Sequence, residues 1–391
     1  MQDLFLPAVA GKGVLNVTLL VSEWPSSELA LQLAHHMQVE VTVLVPKNAC
    51  SEEGRRFAEE HNIAVREAVV RPGFDRLDWL AFPPEDLVID VVLDFGSELG
   101  KQAQSIRESH GCKWVQVVHT LPEELGMYKS YPFAPSKGEE KTRNELHLAT
   151  LANLVVAVGP KLKKAYSDIY QGSSKLPDVI QLTPGIFIEF SVAKKATLGN
   201  KSFRVLTFGR GDPKDFSLKG YDIAAKAIAQ LDDNSYHLTF VGAPDGKQED
   251  VADNLLKCRI SKSQLEVRES MQSSKLLMEL FCVTDLVIMP SKTEDFGLPA
   301  LKALSAGLPI LVRENSGFGD ALRCVPLGKQ FLVDSADPED WAEAIKAVRQ
   351  KGREERLKEI QALRASYEAT FNWEEQCTTL VQKMWGIVHG I

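Results

Sequence analysis

The sequence predicts an α/β protein built from two doubly wound, Rossmann-like parallel-sheet domains. Three observations carry this. Short apolar, β-branched runs alternate with stretches of helical periodicity almost throughout, the pattern of parallel strands covered by helices. That alternation stops near Thr183-Pro184-Gly185 and then begins again. The length of 391 residues also exceeds one ordinary core and suits two.

In the first half the clearest strands are Val14 to Val21, Val39 to Val45, Asp90 to Phe95, Trp114 to Val118 and Leu154 to Val158. In the second half they are Phe203 to Phe208, His237 to Val241, Leu286 to Met289 and Pro309 to Val312. Ser191 to Ser202 is short, polar and contains a glycine, so the domain boundary is placed between about 186 and 200. This gives an N-terminal domain over 1–190 and a C-terminal domain over 200–372. From Pro338 onward the chain reads as nearly all helix. Its last segment, Trp373 to Val388, spaces Leu380, Val381, Met384, Ile387 and Val388 as one apolar helical face. That face either lids its own domain or returns to the first.

Composition narrows the function classes. Hydrophobic residues at 44% and charged residues at 25% fit a compact globular protein rather than a disordered one. The net charge of −8 argues against general nucleic-acid or anionic-membrane binding, which basic surfaces drive. The six cysteines are far apart, without CxxC pairs or zinc-ligand spacing, and read as reduced thiols of a cytoplasmic protein. No apolar run approaches the ~20 residues that span a bilayer, and no secretory leader is recognisable. The sequons at Asn16 and Asn200 read as chance matches.

Ligands of open α/β sheets collect beyond the carboxyl ends of the strands, where loops and helix N-termini present unpaired N–H groups. Three stretches of the second half stand there. Gly209-Arg210 ends a strand, and Lys219-Gly220 precedes the helix Tyr221 to Leu231; an Arg fork and a Lys ammonium beside a helix N-terminus suit a diphosphate. Solvated loop cations are the plainer reading of that pair. Met289 to Pro299 runs from a buried strand into the helix Leu298 to Ala306, with Pro299 in the first turn. It offers the amides of Phe296, Gly297 and Leu298 to an anion and Glu294 to sugar hydroxyls, although Glu294 and Asp295 also suit a helix N-terminus on charge alone. The third stretch, Asn315 to Asp320, brings Ser316 and Gly317 to a strand end, where glycine permits close backbone approach.

These residues resemble a known family. Pro290-Ser291-x-x-Glu294-x-Phe296-Gly297-Leu298-Pro299, followed by Ala303-x-x-x-Gly307-x-Pro309, is the pattern of the large retaining glycosyltransferase family four of GT-B fold, the "glycosyl transferases group 1". Gly209-Arg210, Lys219-Gly220, Phe240-Val241-Gly242, the Leu182 to Phe190 hinge and Phe371-x-Trp373 extend the resemblance over about residues 100 to 390. It implies that Arg210 and Lys219 hold a donor diphosphate, and that Glu294 with the amides of Phe296 to Leu298 contacts the transferred sugar. His119, at the end of the strand Trp114 to Val118, stands where relatives place a histidine against that sugar; a histidine bonded to a neighbouring loop is the other reading. Arg143 and Glu145 resemble the family's Arg/Glu stretch, or form an exposed helical ion pair. The resemblance also implies a final helix crossing back to the first domain, a UDP- or GDP-sugar as donor, a glycan or small-molecule acceptor, and no metal or further cofactor.

Two positions depart from the family. The glycine-rich loop after the first strand is replaced by Ser22-Glu23-Trp24-Pro25-Ser26-Ser27-Glu28, where Trp24 and Pro25 are expected to crowd a ligand and Ser26 or Ser27 to cap the next helix. Lys302 replaces the carboxylate that accepts hydrogen bonds from the donor ribose; an ammonium only donates. A catalytically degenerate binding or regulatory module is therefore the competing expectation to an active transferase.

Overall fold

The computed structural model describes residues 13–24, 28–170, 177–190, 202–271 and 273–391. Strands β1 (Leu15–Leu20), β2 (Val39–Val45), β3 (Ile63–Glu67), β4 (Val91–Phe95), β5 (Lys113–Val118), β6 (Leu154–Val158) and β7 (Val179–Leu182) form a seven-stranded sheet in the order β3-β2-β1-β4-β5-β6-β7. Strands β8 (Phe203–Phe208), β9 (Tyr236–Ala243), β10 (Leu265–Glu269), β11 (Leu286–Met289), β12 (Ile310–Arg313) and β13 (Leu332–Val333) form a six-stranded sheet in the order β10-β9-β8-β11-β12-β13. All five pairings of the second sheet are parallel. The strands expected from sequence are all present. Those it did not single out, β3, β7, β10 and β13, are the four sheet edges.

Side-chain alternation explains why the central strands are continuously apolar. In β8, Val205 joins the cluster under the helices Tyr221–Gln230 and Pro338–Gln350, whereas its neighbour Leu206 joins the opposite cluster with the helices Leu298–Ser305 and Arg353–Thr370. In β11, Ile288 and Val287 divide in the same way. Both faces are covered, so every position of a central strand is a core position. In the first sheet a cluster gathers Leu20, Leu44, Val92 and Trp114. The indole N–H of fully buried Trp114 donates to Asp94 Oδ1 at 2.6 Å.

The chain separates into two compact units, one of Met1–Val117, Leu148–Val155 and Glu374–Ile391, the other of Val118–His147 and Val156–Trp373. The last helix, Trp373–His389, therefore belongs almost wholly with the first unit, which resolves its two sequence readings in favour of return. It buries Cys377, Leu380, Val381 and Met384. Among the described residues no helix is long and apolar enough to cross a membrane.

The loop after β1 differs from expectation. Trp24 is buried, and its indole N–H donates to the Gly54 carbonyl at 3.0 Å. The aromatic ring that was expected to crowd a ligand fills the core instead, because burial in a site that satisfies its N–H is the favourable place for an indole. The helix that follows is only Glu28–Ala34. Pro25, Ser26 and Ser27, with the capping expected of the serines, lie outside the described residues, as does nearly all of the Ser191 to Ser202 boundary segment.

Within the second unit the segment after β7 is tied down. The Phe187 amide donates to Ser305 Oγ at 3.0 Å, Phe187 and Phe190 are core residues, and the Tyr367 hydroxyl donates to the Pro184 carbonyl at 2.8 Å. Tyr367 is fully buried, so Tyr367→Phe leaves that carbonyl unpaired in the core. Urea unfolding of the variant should show a loss of about 1–3 kcal/mol; an unchanged midpoint would show that this bond contributes nothing.

Candidate functional site

Strand order in the second sheet reverses between β8 and β11, so the loops that leave these two strands run apart and open a crevice at their carboxyl ends. Gly209 and Arg210 leave β8 there. The Gly209 amide donates to the Val241 carbonyl at 3.0 Å and the Gly211 amide to the Gly242 carbonyl at 2.8 Å, binding this turn to β9. Gly242 has φ +125°, and a Cβ on it would stand 1.7 Å from the Gly209 carbonyl oxygen. No other residue type permits that approach. Tyr221, at the start of its helix, is pressed under the same turn and donates from its hydroxyl to the Arg210 carbonyl at 3.1 Å. The Arg210 side chain is left exposed at the strand end.

The second loop leaves β11. Lys219 Nζ donates to both carboxylate oxygens of Glu294, each at 2.8 Å, and Ser291 Oγ donates to Glu294 Oε2 at 3.1 Å. Both members of the ion pair are largely sheltered, at 22% and 15% side-chain exposure, so water screens it less than a surface pair. The structure thus joins two residues that are 75 positions apart in sequence. The helix Leu298–Ser305 starts at Gly297, whose φ of +110° turns the chain sharply. The amides of Phe296, Gly297 and Leu298 find no acceptor among the described residues, and the helix dipole favours an anion beside them.

The third stretch is bonded into the protein around the Glu294 loop. Ser316 Oγ accepts from the Gly319 amide at 2.9 Å and donates to the Arg313 carbonyl at 2.8 Å, so it caps the helix Gly317–Arg323. The Gly317 amide donates to the Glu294 carbonyl at 3.1 Å, and a Cβ there would lie 2.0 Å from the Asp295 carbonyl oxygen. The polar groups named on Ser316 and Gly317 are thereby committed to the protein: they brace the Glu294 loop from behind. Phe296 does the same with its side chain, buried 6.0 Å from the ring centre of Phe318.

A cavity of about 260 Å³ adjoins this loop, lined by Phe208, Gly209 and Arg210 on one side, Gly242 and Met271 on another, and Leu298, Pro299 and Lys302 on the helix. Lys302 is half-buried, and its ammonium stands 5.8 Å from the centre of the Phe187 ring and 5.6 Å from that of Phe190. His119 is one residue past β5 and exposed.

The model of the family 4 glycosyltransferases in conflict systems matches residues 26–380. The chain belongs to this family. Among curated proteins, a D-inositol 3-phosphate glycosyltransferase of Rhodococcus opacus (strain B4) is 31% identical over 199 residues, 49% of this chain and 43% of that protein. One of Rhodococcus erythropolis (strain PR4) is 30% identical over 290 residues, 71% of this chain and 63% of that protein. The chain spans less than half the length of the first curated relatives it matches. Among solved structures, sucrose-phosphate synthase of Thermosynechococcus elongatus superposes with a TM-score of 0.75 at 16% identity, covering 96% of this chain and all of that one. Anabaena HepE, solved with UDP and glucose, superposes with a TM-score of 0.70 at 16% identity, covering 94% and 98%. At such identity these likenesses carry the fold, which is GT-B.

Two further features of this family 4 site join residues of those stretches to partners far away in the sequence. Glu124 Oε1 accepts from Lys161 Nζ at 2.9 Å, from Thr293 Oγ1, and from Asn315 Nδ2 at 3.4 Å, while Lys161 also donates to Thr293 Oγ1 at 2.8 Å. Burial opposes the charge on Glu124, yet these donors hold its carboxyl below the ordinary range. No local sequence signal marks the cluster, because its members come from four separate segments. The second feature is a pair of buried carboxyls. Glu145 is fully buried, so the exposed ion pair that was one reading of Arg143 and Glu145 does not form; Arg143 alone is exposed. Burial raises Glu145 to about 7, with the Tyr166 hydroxyl opposing and the Asp295 charge adding to the rise. Asp295, which accepts from the Leu121 amide at 2.8 Å, is raised by burial to about 6.

A carboxyl raised on folding keeps its proton after the unfolded chain has lost its own. Its stabilising contribution is present at low pH and is lost as pH climbs through the folded value. Stability should therefore fall between pH 4.5 and about 7. In Glu145→Gln, unfolding free energies from urea titrations between pH 4.5 and 8 should decline less, by up to about 3 kcal/mol at pH 8. Equal slopes in both proteins would contradict the burial effect.

Proposed function

We propose that the chain is a glycosyltransferase that moves a sugar from a nucleoside-diphosphate sugar, such as a UDP- or GDP-sugar, to a hydroxyl of a glycan or small-molecule acceptor, with retention at the anomeric carbon. What carries this reading is one convergence: Arg210, the Lys219–Glu294 pair and the three amides of Phe296 to Leu298 meet where the strand order reverses. Family membership agrees with it, and among fold relatives Anabaena HepE is known with UDP-glucose.

As the bond between the anomeric carbon and the phosphate oxygen breaks, negative charge grows on the diphosphate. Arg210, Lys219 and the helix N-terminus at Leu298 then stabilise the departing group more than the intact donor, which is the condition for catalysis. Glu294 positions the Lys219 ammonium and offers its carboxylate to the hydroxyls of the sugar. The acceptor oxygen forms the new bond to the anomeric carbon on the face the diphosphate leaves, and its proton passes to a donor phosphate oxygen. His119 contributes a side chain that contacts the transferred sugar. None of these steps needs a metal.

The half-buried cation Lys302 in the cavity favours a second reading, in which the site binds a nucleotide without turning it over. Calorimetric titration with UDP, GDP, ADP and their common sugars, followed by assay of sugar release, separates the two. One nucleotide should bind, Arg210→Ala should weaken it by about 1.5–3 kcal/mol as expected for a charge-assisted bond, and its sugar should be released slowly. Binding without any release would leave the binding module, and binding untouched by Arg210→Ala would overturn the assignment of the diphosphate site.

A further inference from the structure

The cavity beside Arg210 carries charge that the proposed reaction does not use. Its lining contains two cationic side chains, Arg210 and Lys302, and no carboxylate. This is unusual ground on a chain of net charge −8. Arg210 is taken up by the donor diphosphate in the reading above. Lys302 is not: among the described residues its ammonium has neither an ion-pair partner nor a hydrogen-bond acceptor, and the faces of Phe187 and Phe190 are what it meets. Ring faces compensate a partly desolvated ammonium only weakly beside what an anion supplies.

Position indicates where that anion would sit. Leu298, Pro299 and Lys302 line the cavity from one side of their helix, and four residues of helix advance about 6 Å. A diphosphate held by Arg210 and the amides of Phe296 to Leu298 leaves its nucleoside to enter the cavity. The ribose is the first unit past the phosphates and so lies closest to the second helical turn, where Lys302 stands. A ribose with free hydroxyls gives an ammonium only neutral acceptors, whereas a phosphate on the ribose gives it a full counter-charge.

We infer that Lys302 is a specificity-determining residue that recognises a phosphomonoester on the ribose of the nucleotide, so that the site prefers a 2′- or 3′-phosphorylated nucleoside diphosphate to the plain one. This rests on the donor-site reading proposed above. The phosphate is bound and not transferred; it adds affinity at a position remote from the reacting carbon.

The test is calorimetric titration of the whole chain with UDP, GDP and ADP, and with the 2′-phosphate and the 3′-phosphate of each. For one base, a phosphorylated form should bind roughly tenfold tighter than its parent, the 2′ and 3′ arms showing which ester is read. In Lys302→Gln, checked for folding by circular dichroism and thermal melting, that ratio should fall to about one. In Arg210→Ala both forms should weaken together. Plain and phosphorylated forms binding equally, or a preference that survives Lys302→Gln, would overturn the inference and leave the donor site standing. No binding of any form would remove both.

Discussion

The site depends on one constraint of chain topology: the strand order of the second sheet reverses between β8 and β11. Parallel strands need crossovers, and where successive crossovers go to opposite faces, the loops at the carboxyl ends separate. The β8 loop carries Gly209 and Arg210 and the β11 loop carries Glu294. They leave one crevice, and Lys219 ties back across it to Glu294 with two bonds of 2.8 Å. Everything else in the site either holds these two loops or fills the space between them.

How the loops are held shows which polar groups remain for a ligand. Ser316 caps its own helix, the Gly317 amide is spent on the Glu294 carbonyl, and Phe318 bonds to the Phe296 carbonyl at 2.6 Å. These contacts fix the Glu294 loop without entering the crevice. The amides of Phe296 to Leu298 are left over because the first N–H groups of any helix lack an intrahelical acceptor. A rigid frame around unsatisfied donors is the arrangement that electrostatic stabilisation of a leaving group requires, since no reorganisation is then needed during reaction. The same frame carries a penalty nearby. Asp295 and Glu145 are both buried, and burial pushes both carboxyls up. The segment that bears Glu294 is therefore held next to groups whose charge state changes near neutrality.

Sequence and structure agree where an element follows from its own local pattern. Central strands such as β8 and β11 are apolar at every position because both faces are covered, and that signal is visible in the chain. Edge strands expose part of their surface, so β3 reads IAVRE and β10 reads LEVRE, with charges that blur the run. The strand-end loops that carry Arg210, Lys219, Glu294 and Phe296 to Leu298 are legible for a similar reason: a loop at a strand end followed by a helix start is written in consecutive residues. Trp24 was misplaced because sequence shows an aromatic beside a loop and not the Gly54 carbonyl that draws its N–H inward.

The sequence by itself thus determined the two α/β domains, the family resemblance, and the three loops that could meet an anion. Tertiary structure alone decided which of those groups remain open. It gave the Lys219–Glu294 pairing, the bracing roles of Ser316 and Gly317, the Glu124–Lys161–Thr293 cluster, the burial of Glu145, and the placement of Lys302 over Phe187 and Phe190 inside the cavity. The physical reason is range. Propensity, periodicity and turn chemistry act over a few residues and leave their mark in the local pattern. Pairing of a charge or donor is settled by whichever group folding brings within about 3 Å, and that partner stands tens to hundreds of residues away.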